Sequence, residues 1–258
     1  LSALSSIHEP VKVSSLVPFS SSPHTVCKSL AAKGWVNIRH QPKITDPFNI
    51  MVPGESENIT LSAEQQSIFN NIIDIENGFH PFLLHGVTGS GKTEVYLKLA
   101  QEAIKSEKSV LVLVPEISLT PQVANRFRWL FGSRVALWHS RMTRAEKGWT
   151  WQRLKKGEFS VVVGARSAIF APLKNLGLII IDEEQEAAYK QENPPPRYHA
   201  RDVAMVRGKH AGATVLLTSA TPSLESYYNA LQKKFTLLKL TKRYGDSIYP
   251  TVELVDMK

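Results

Sequence analysis

Eight residues, Gly86-Val87-Thr88-Gly89-Ser90-Gly91-Lys92-Thr93, spell GxxxxGK[ST] between an apolar run that ends at His85 and the helical spacing of Val95 and Leu99. A strand, a glycine-rich turn and a helix form the setting in which this pattern holds a phosphate. The glycines let the backbone curl until its N–H groups face inward, and the helix that follows adds the positive end of its dipole. Lys92 then reaches the β- and γ-phosphates of a nucleoside triphosphate, and the Thr93 hydroxyl faces the Mg²⁺ that bridges them. Gly86, Thr88, Gly89, Ser90, Gly91, Lys92 and Thr93 are the candidate nucleotide ligands, with Thr93 also on the metal.

A strand ahead of such a loop needs neighbours. Apolar runs at residues 82–85, 109–114, 135–139, 159–164, 178–182 and 214–218 alternate with stretches of helical period, as at Val95, Leu99, Ala103 and Ile104. Strands apolar at nearly every position are buried on both faces. This predicts an α/β domain on a doubly wound parallel sheet, with helices on both sides and ligands at the carboxyl ends of its strands. Upstream, Ser62-Ala63-Glu64-Gln65 has capping-box chemistry before Ile68, Ile72 and Ile73, so this domain is expected over residues 59–258. Residues 1–58 are richer in Ser and Pro. They predict a helix over 23–33, capped by Ser22 and stopped at Gly34, then a strand over 35–39. A helix followed by a strand fits a small winged-helix-like remnant or an ordinary linker, and Pro42, Pro47, Pro53 and Gly54 punctuate the passage to the capping box.

The run at 177–181 delivers Asp182, Glu183 and Glu184 at its carboxyl end, the edge where the phosphate loop also lies. Asp182 is read as holding the Mg²⁺ shell, and Glu183 as orienting and deprotonating an attacking water. A glutamate in that place points to hydrolysis rather than transfer to a small acceptor. Without the phosphate loop the same acids would read as a solvated turn.

Lys and Arg total 31 against 23 Asp and Glu, and the resulting +8 favours a polyanionic partner such as nucleic acid. The basic residues concentrate over 126–156, where Arg126, Arg128, Arg134, Arg141, Arg144, Lys147, Arg153, Lys155 and Lys156 face one acid, Glu146, with Trp129, Trp138, Trp149 and Trp151 interleaved. Bases can stack and phosphates pair on such a segment, although tryptophans on amphipathic helices also serve a core. Cys27 is the only cysteine, which excludes an internal disulfide and a CxxC metal site. The apolar runs fall far short of the roughly 20 residues that a membrane span needs. The expectation is a cytoplasmic protein without a membrane partner. The chain opens Leu1-Ser2-Ala3, with neither Met nor a basic-then-apolar leader, and this is read as a cut end rather than a signal peptide.

Five ordered stretches resemble the superfamily-2 helicases and, among them, the PriA family: GVTGSGKTEVY at 86–96, VPEISLTPQ at 114–122, VGARSAIFAP at 163–172, IIIDEEQ at 179–185 and SATPS at 219–223. The resemblance covers about residues 60–258 and implies a RecA-like first motor lobe that uses ATP and Mg²⁺. It also implies that Gln65 recognises adenine and that Arg166 and Ser167 meet DNA. YKQENPPPRYHARD at 189–202 is similar to an aromatic-rich loop that senses DNA and relays it to the ATP site, with Tyr189, Lys190, Tyr198, His199 and Arg201 carrying the likeness. Ser219 and Thr221 lie where the family couples hydrolysis to movement. The family usually has histidine where this chain has Gln185, which leaves the acid chemistry intact and bears on the coupling role of that position. In plainer terms Gln65 is an exposed helix residue and residues 219–222 a helix cap.

The same resemblance implies a 3′ to 5′ DNA helicase of primosome assembly and restart of stalled replication forks. Its partners are single-stranded and forked DNA and other primosome or single-strand-binding proteins. The family carries zinc in its second lobe, and no ligand set for it occurs here. The sequence stops at Lys258, where the resemblance passes to that lobe, so an arginine finger worth roughly 10³ to 10⁵ in rate is expected to be missing and the chain alone to hydrolyse ATP weakly. Two other readings stand beside this one: a DNA-binding module whose nucleotide pocket is only regulatory, and a kinase of the same loop class, for which no arginine-bearing lid is evident.

Overall fold

The computed structural model describes residues 11–38, 59–75, 78–115 and 121–243. By its contacts the chain divides into two units, Leu1–Ile44 and Thr45–Lys258. The boundary expected near residue 58 falls outside the described residues. So do Pro42, Pro47, Pro53, Gly54, residues 116–120 of the VPEISLTPQ stretch, and residues 244–258.

In the first unit a 3₁₀ segment, Val13–Phe19, precedes helix α1, Pro23–Ala32. Pro23 sits in the first turn, where its missing N–H costs nothing. Ser22 occupies the N-cap position but makes no side-chain cap bond, so its predicted capping role is not realised. The chain turns away at Gly34, φ +74°. Residues 35–38 form no strand, and Arg39 lies outside the described residues. A strand needs a neighbour for its N–H and C=O groups, and the described residues of this unit offer none.

The second unit begins with helix α2, Ala63–Ile73. It then alternates strands and helices as the apolar runs predict: β1 Pro81–Gly86, α3 Lys92–Lys105, β2 Ser109–Leu113, α4 Pro121–Phe131, β3 Val135–Trp138, α5 Arg144–Lys156, β4 Val161–Gly164 and β5 Leu176–Ile181. A short hairpin, β6 Lys190–Gln191 with β7 Tyr198–His199, leads into α6 Ala200–Ala211, followed by β8 Thr214–Ser219, α7 Leu224–Leu231 and β9 Thr236–Leu240. The main sheet has the order β3-β4-β2-β5-β8-β1-β9, and every neighbouring pair is parallel.

Successive residues of each strand serve opposite faces. Phe82, Leu84, Val110, Val112 and Ile180 pack with α2, α3 and α4 on one side. Leu83, Leu111, Leu113, Ile179 and Ile181 pack with α5, α6 and α7 on the other. This double burial is why the strands read as unbroken apolar runs. It is the doubly wound α/β architecture the sequence implies, with all carboxyl ends on one edge.

Candidate functional site

The phosphate loop leaves β1 at Gly86, which pairs in register with Leu240 of β9. A methyl group on Gly86 would lie 2.7 Å from Ser90 Oγ and 3.0 Å from Leu240 Cβ. Gly91, at the N-cap of α3, holds φ +76°, and a methyl there would come within 2.2 Å of Gln65 Nε2. Only glycine fits both places. Ser90 Oγ is buried without a hydrogen-bond partner among the described residues, and Thr88 is exposed. Lys92 folds back into the loop: its Nζ donates to the Gly86 carbonyl at 2.8 Å and to that of Val87 at 3.5 Å. The residue is buried, and burial pushes the ammonium pKa down, against the pull of the nearby Glu183 and Asp182 carboxylates.

Asp182 follows β5. Its N–H donates to the Leu113 carbonyl at 2.9 Å, Oδ1 accepts from Thr218 Oγ1 at 2.6 Å, and Oδ2 lies 3.4 Å from the Tyr96 hydroxyl. Burial raises its pKa, the Thr218 hydrogen bond works against that, Glu183 raises it further and Lys92 opposes. Glu183 adopts φ +48°, left-handed for a residue with a side chain, which costs on the order of 1–3 kcal/mol. The turn is pinned on either side, by the Asp182 bond to β2 and by Glu184 N–H to the Thr218 carbonyl at 3.0 Å. The residues present fit Mg²⁺ with a triphosphate by their chemistry. No group of three or more His, Cys, Asp or Glu that could hold a metal occurs among the described residues. One carboxylate, a threonine hydroxyl and phosphate oxygens are the donor set Mg²⁺ commonly takes. Gly86, Gly89, Ser90, Gly91, Lys92, Thr93, Asp182 and Glu183 are thus brought to one edge.

Gln65 is buried, which overturns its reading as an exposed helix residue. Its Oε1 accepts from Ser62 N–H at 2.8 Å to close the capping box, and its Nε2 donates to the Ser90 carbonyl at 2.9 Å. Both ends of the amide are engaged, one of them with the phosphate loop.

A second chain of bonds joins β8 to the acids. Thr221 N–H donates to Ser219 Oγ at 2.9 Å, that hydroxyl donates to Gln185 Oε1 at 2.6 Å, and Gln185 Nε2 donates to Glu183 Oε2 at 2.9 Å. Gln185 therefore bridges Ser219 and Glu183 with the two ends of one amide. The helix cap expected at residues 219–222 is instead Ser223, whose side chain accepts from Ser226 N–H.

Sequence alone does not single out Glu184, yet it is the most enclosed of the three acids. It accepts from Arg201 Nη1 at 3.0 Å, Ser223 N–H at 2.7 Å, Ser223 Oγ at 3.0 Å and Ser226 Oγ at 2.8 Å. The side chains of Arg201 and Glu184 are only 12% and 0% exposed. Removing one partner of such a pair strands a buried charge. Arg201→Ala is expected to lower unfolding stability by about 3–5 kcal/mol, readable as a fall in the urea midpoint.

The residues expected to meet DNA separate. Arg166 Nη1 donates to the carbonyls of Lys190 at 2.7 Å and Ala188 at 3.2 Å, and its guanidinium lies 5.9 Å from the Tyr198 ring. Phe170, which sequence reasoning missed, meets Tyr198 edge-on at 5.1 Å and is 48% exposed. Ser167 is exposed and accepts from Trp138 Nε1 at 3.1 Å. Arg166, Ser167, Phe170, Lys190 and Tyr198 therefore lie in one neighbourhood beside the hairpin.

Tyr189 does not join them. It is fully buried, and its hydroxyl donates to the Asp182 carbonyl at 2.6 Å, so it props the acid turn from inside the core. His199 caps α6, its Nδ1 accepting from Arg201 N–H at 3.2 Å. Burial first, then Arg201, push its pKa down, in keeping with the neutral ring this cap needs.

Nor is the basic segment 126–156 one surface. Arg126 pairs with Glu94 of α3, Arg128 is buried, Trp138 packs on Trp151, and Trp149 stacks under Arg153. Arg141 and Arg144 stand at one end of α5 and Lys155 and Lys156 at the other, about 20 Å apart along a helix of that length.

With this geometry in hand the likenesses are informative. The family profile for DEAD/DEAH box helicases matches residues 62–230. The chain is 47% identical over 233 residues to the replication restart protein PriA of Bacillus subtilis, covering 90% of this chain and 29% of that protein. Against the protein of the same name from Chlamydia muridarum it is 44% identical over 257 residues, 96% of this chain and 33% of the relative. It spans about a third of the length of these relatives. Among solved structures, RecG bound to a three-way DNA junction shares the fold, with a TM-score of 0.55 and 24% identity over 76% of this chain and 27% of that one. So does the helicase MrfA bound to DNA, with a TM-score of 0.51 and 17% identity over 71% and 27%. The chain belongs to the DEAD/DEAH box helicase family.

Proposed function

We propose that this chain is the ATP-binding first motor lobe of a cytoplasmic DNA helicase that moves 3′ to 5′ on single-stranded DNA, opens forked duplexes and serves the restart of stalled replication forks with other primosome or single-strand-binding proteins. The observation that carries the reading is Lys92 folded into a glycine loop, its Nζ on the Gly86 and Val87 carbonyls, at the carboxyl edge of the sheet where β5 also delivers Asp182 and Glu183. In use, Lys92 exchanges its bonds to the Gly86 and Val87 carbonyls for the β- and γ-phosphates of ATP. Thr93 and Asp182 would hold Mg²⁺, which offsets charge on the phosphates when bound. Glu183 takes the proton of the attacking water, and Gln185 holds its carboxylate toward Ser219. Gln65 is assigned to adenine, and its amide, held in the free lobe by Ser62 N–H and the Ser90 carbonyl, has to open toward the base to read it.

Arg166, Ser167, Lys190 and Tyr198 supply cation, hydroxyl and ring to a DNA strand on the hairpin side. Backbone contacts of that kind make binding fall steeply with salt and discriminate little between sequences. The complete catalytic cleft of this reading takes its second wall from a further lobe, so the chain alone hydrolyses ATP weakly. The test is strand displacement on a forked duplex by the full-length protein across a salt series. ATP-dependent, sequence-indifferent unwinding that weakens with salt is expected. DNA binding without ATP-dependent displacement would instead favour a binding module with a regulatory pocket.

A further inference from the structure

Two consecutive residues at the start of α2 hold two different parts of the lobe. Gln65 grips the phosphate loop at the Ser90 carbonyl. Glu64, which has no part in the chemistry above, reaches the other way. Its Oε1 accepts from Thr241 N–H at 2.9 Å and Thr241 Oγ1 at 2.8 Å, and its Oε2 from Lys242 N–H at 3.3 Å. Those donors are the first residues after β9, where the chain leaves the sheet.

The exit of β9 is bonded to the phosphate loop as well. Leu240 pairs with Gly86 in register, and its carbonyl accepts from Val87 N–H at 3.3 Å. The phosphate loop, the first turn of α2 and the exit of β9 therefore close a triangle of hydrogen bonds. One side runs through Gln65, one through Glu64 and one through Leu240.

We propose that Glu64 is a positioning residue that passes movement of the phosphate loop to the residues following β9, so that nucleotide occupancy is felt where the chain leaves the sheet. The inference rests on the reading of the loop as a nucleotide site. Filling that site pulls Lys92 off the Gly86 and Val87 carbonyls, which frees the loop to shift. Ser90 is tied through the Gln65 amide to the first turn of α2, a helix end made stiff by its closed capping box. A shift of the loop therefore moves that turn, and the Glu64 carboxylate carries it to Thr241 and Lys242. Desolvation raises the pKa of this carboxyl, but the bonds from Thr241 and Lys242 outweigh it and hold the group below the usual range, as an anchoring anion requires.

The test uses amide hydrogen exchange of the full-length protein with and without a non-hydrolysable ATP analogue and Mg²⁺, resolved to the amide of Arg243, the residue after the Glu64 contacts. In the wild type the analogue is expected to change exchange there by at least fivefold. In Glu64→Ala that response should fall below twofold, although affinity for the analogue stays within threefold. Glu64→Gln keeps the length and one acceptor, so it should retain an intermediate response, and it serves if the alanine variant folds poorly. A wild type that binds the analogue without any change at Arg243, or a folded, analogue-bound Glu64→Ala that keeps the full response, overturns the proposal. Failure of the wild type to bind the analogue at all would instead strike the nucleotide-site reading beneath it.

Discussion

Glu183→Gln in the full-length protein is expected to lower the steady-state rate of ATP hydrolysis by roughly 10²- to 10⁴-fold, the range over which a positioned general base acts, while leaving ATP affinity nearly unchanged. The substitution is close to isosteric, so the turn that forces φ +48° at this residue is kept by its neighbours' bonds to Leu113 and Thr218. The partner is kept too, because a glutamine carbonyl can still accept from Gln185 Nε2 in the place of Glu183 Oε2. What is lost is the capacity to take a proton. Unwinding should stop with hydrolysis, and ATP titration followed by single-turnover hydrolysis separates the two steps. Hydrolysis within a fewfold of the wild type would mean that another group activates the water.

Lys92→Ala should act on binding instead. Truncating a buried, hydrogen-bonded charge typically costs about 2–5 kcal/mol of affinity, which corresponds to roughly 30-fold to several thousandfold at 1.4 kcal/mol per decade. Calorimetric titration with ATP and Mg²⁺ reads it directly. The same change should cost the free protein little stability. In the free state Lys92 is a desolvated cation whose pKa is lowered by burial, satisfied by loop carbonyls and by the reach of Asp182 and Glu183. Its removal relieves that desolvation as it removes those attractions. Loss of nucleotide binding without loss of fold is the combined outcome that marks a ligand-facing lysine. A large drop in thermal midpoint with affinity unchanged would mark a structural one.

Much of this architecture is legible in the residues because the sheet is buried on both faces. Runs such as Leu178-Ile179-Ile180 admit little else, and the strands fall within a residue or two of those runs. The phosphate loop is legible because close packing at Gly86 and a left-handed backbone at Gly91 restrict both places to glycine, so the chemistry is written in residue type. Strand β9 is not, since an edge strand buries only part of itself, and exposed Thr236 and Lys239 break the apolar run. The strand expected over 35–39 shows the opposite error. Alternation at Trp35, Val36, Asn37 and Ile38 satisfies a pattern that no strand among the described residues of this unit completes.

The candidate site divides the same way. Three adjacent acids look alike in sequence, and only the packing sends Asp182 and Glu183 toward the loop and Glu184 to Arg201. Tyr189 stands among loop-like polar residues, yet its ring fills the core and its hydroxyl bonds the Asp182 carbonyl, a placement set by tertiary contacts that local pattern does not encode. Gln65 and Glu64 are ordinary first-turn residues until the helix end is laid between Ser90 and Thr241.

Lys92, Thr93 and Asp182 must serve one magnesium-bound triphosphate if this lobe is a motor, and a crystal structure of the protein soaked with a non-hydrolysable ATP analogue and Mg²⁺ tests that most directly. The expected density shows the Lys92 ammonium turned from the Gly86 carbonyl to the β- and γ-phosphates, with the metal between Thr93 and the Asp182 carboxylate. A triphosphate bound elsewhere, or one bound with Lys92 still on the Gly86 carbonyl and Asp182 outside the metal's shell, would contradict it.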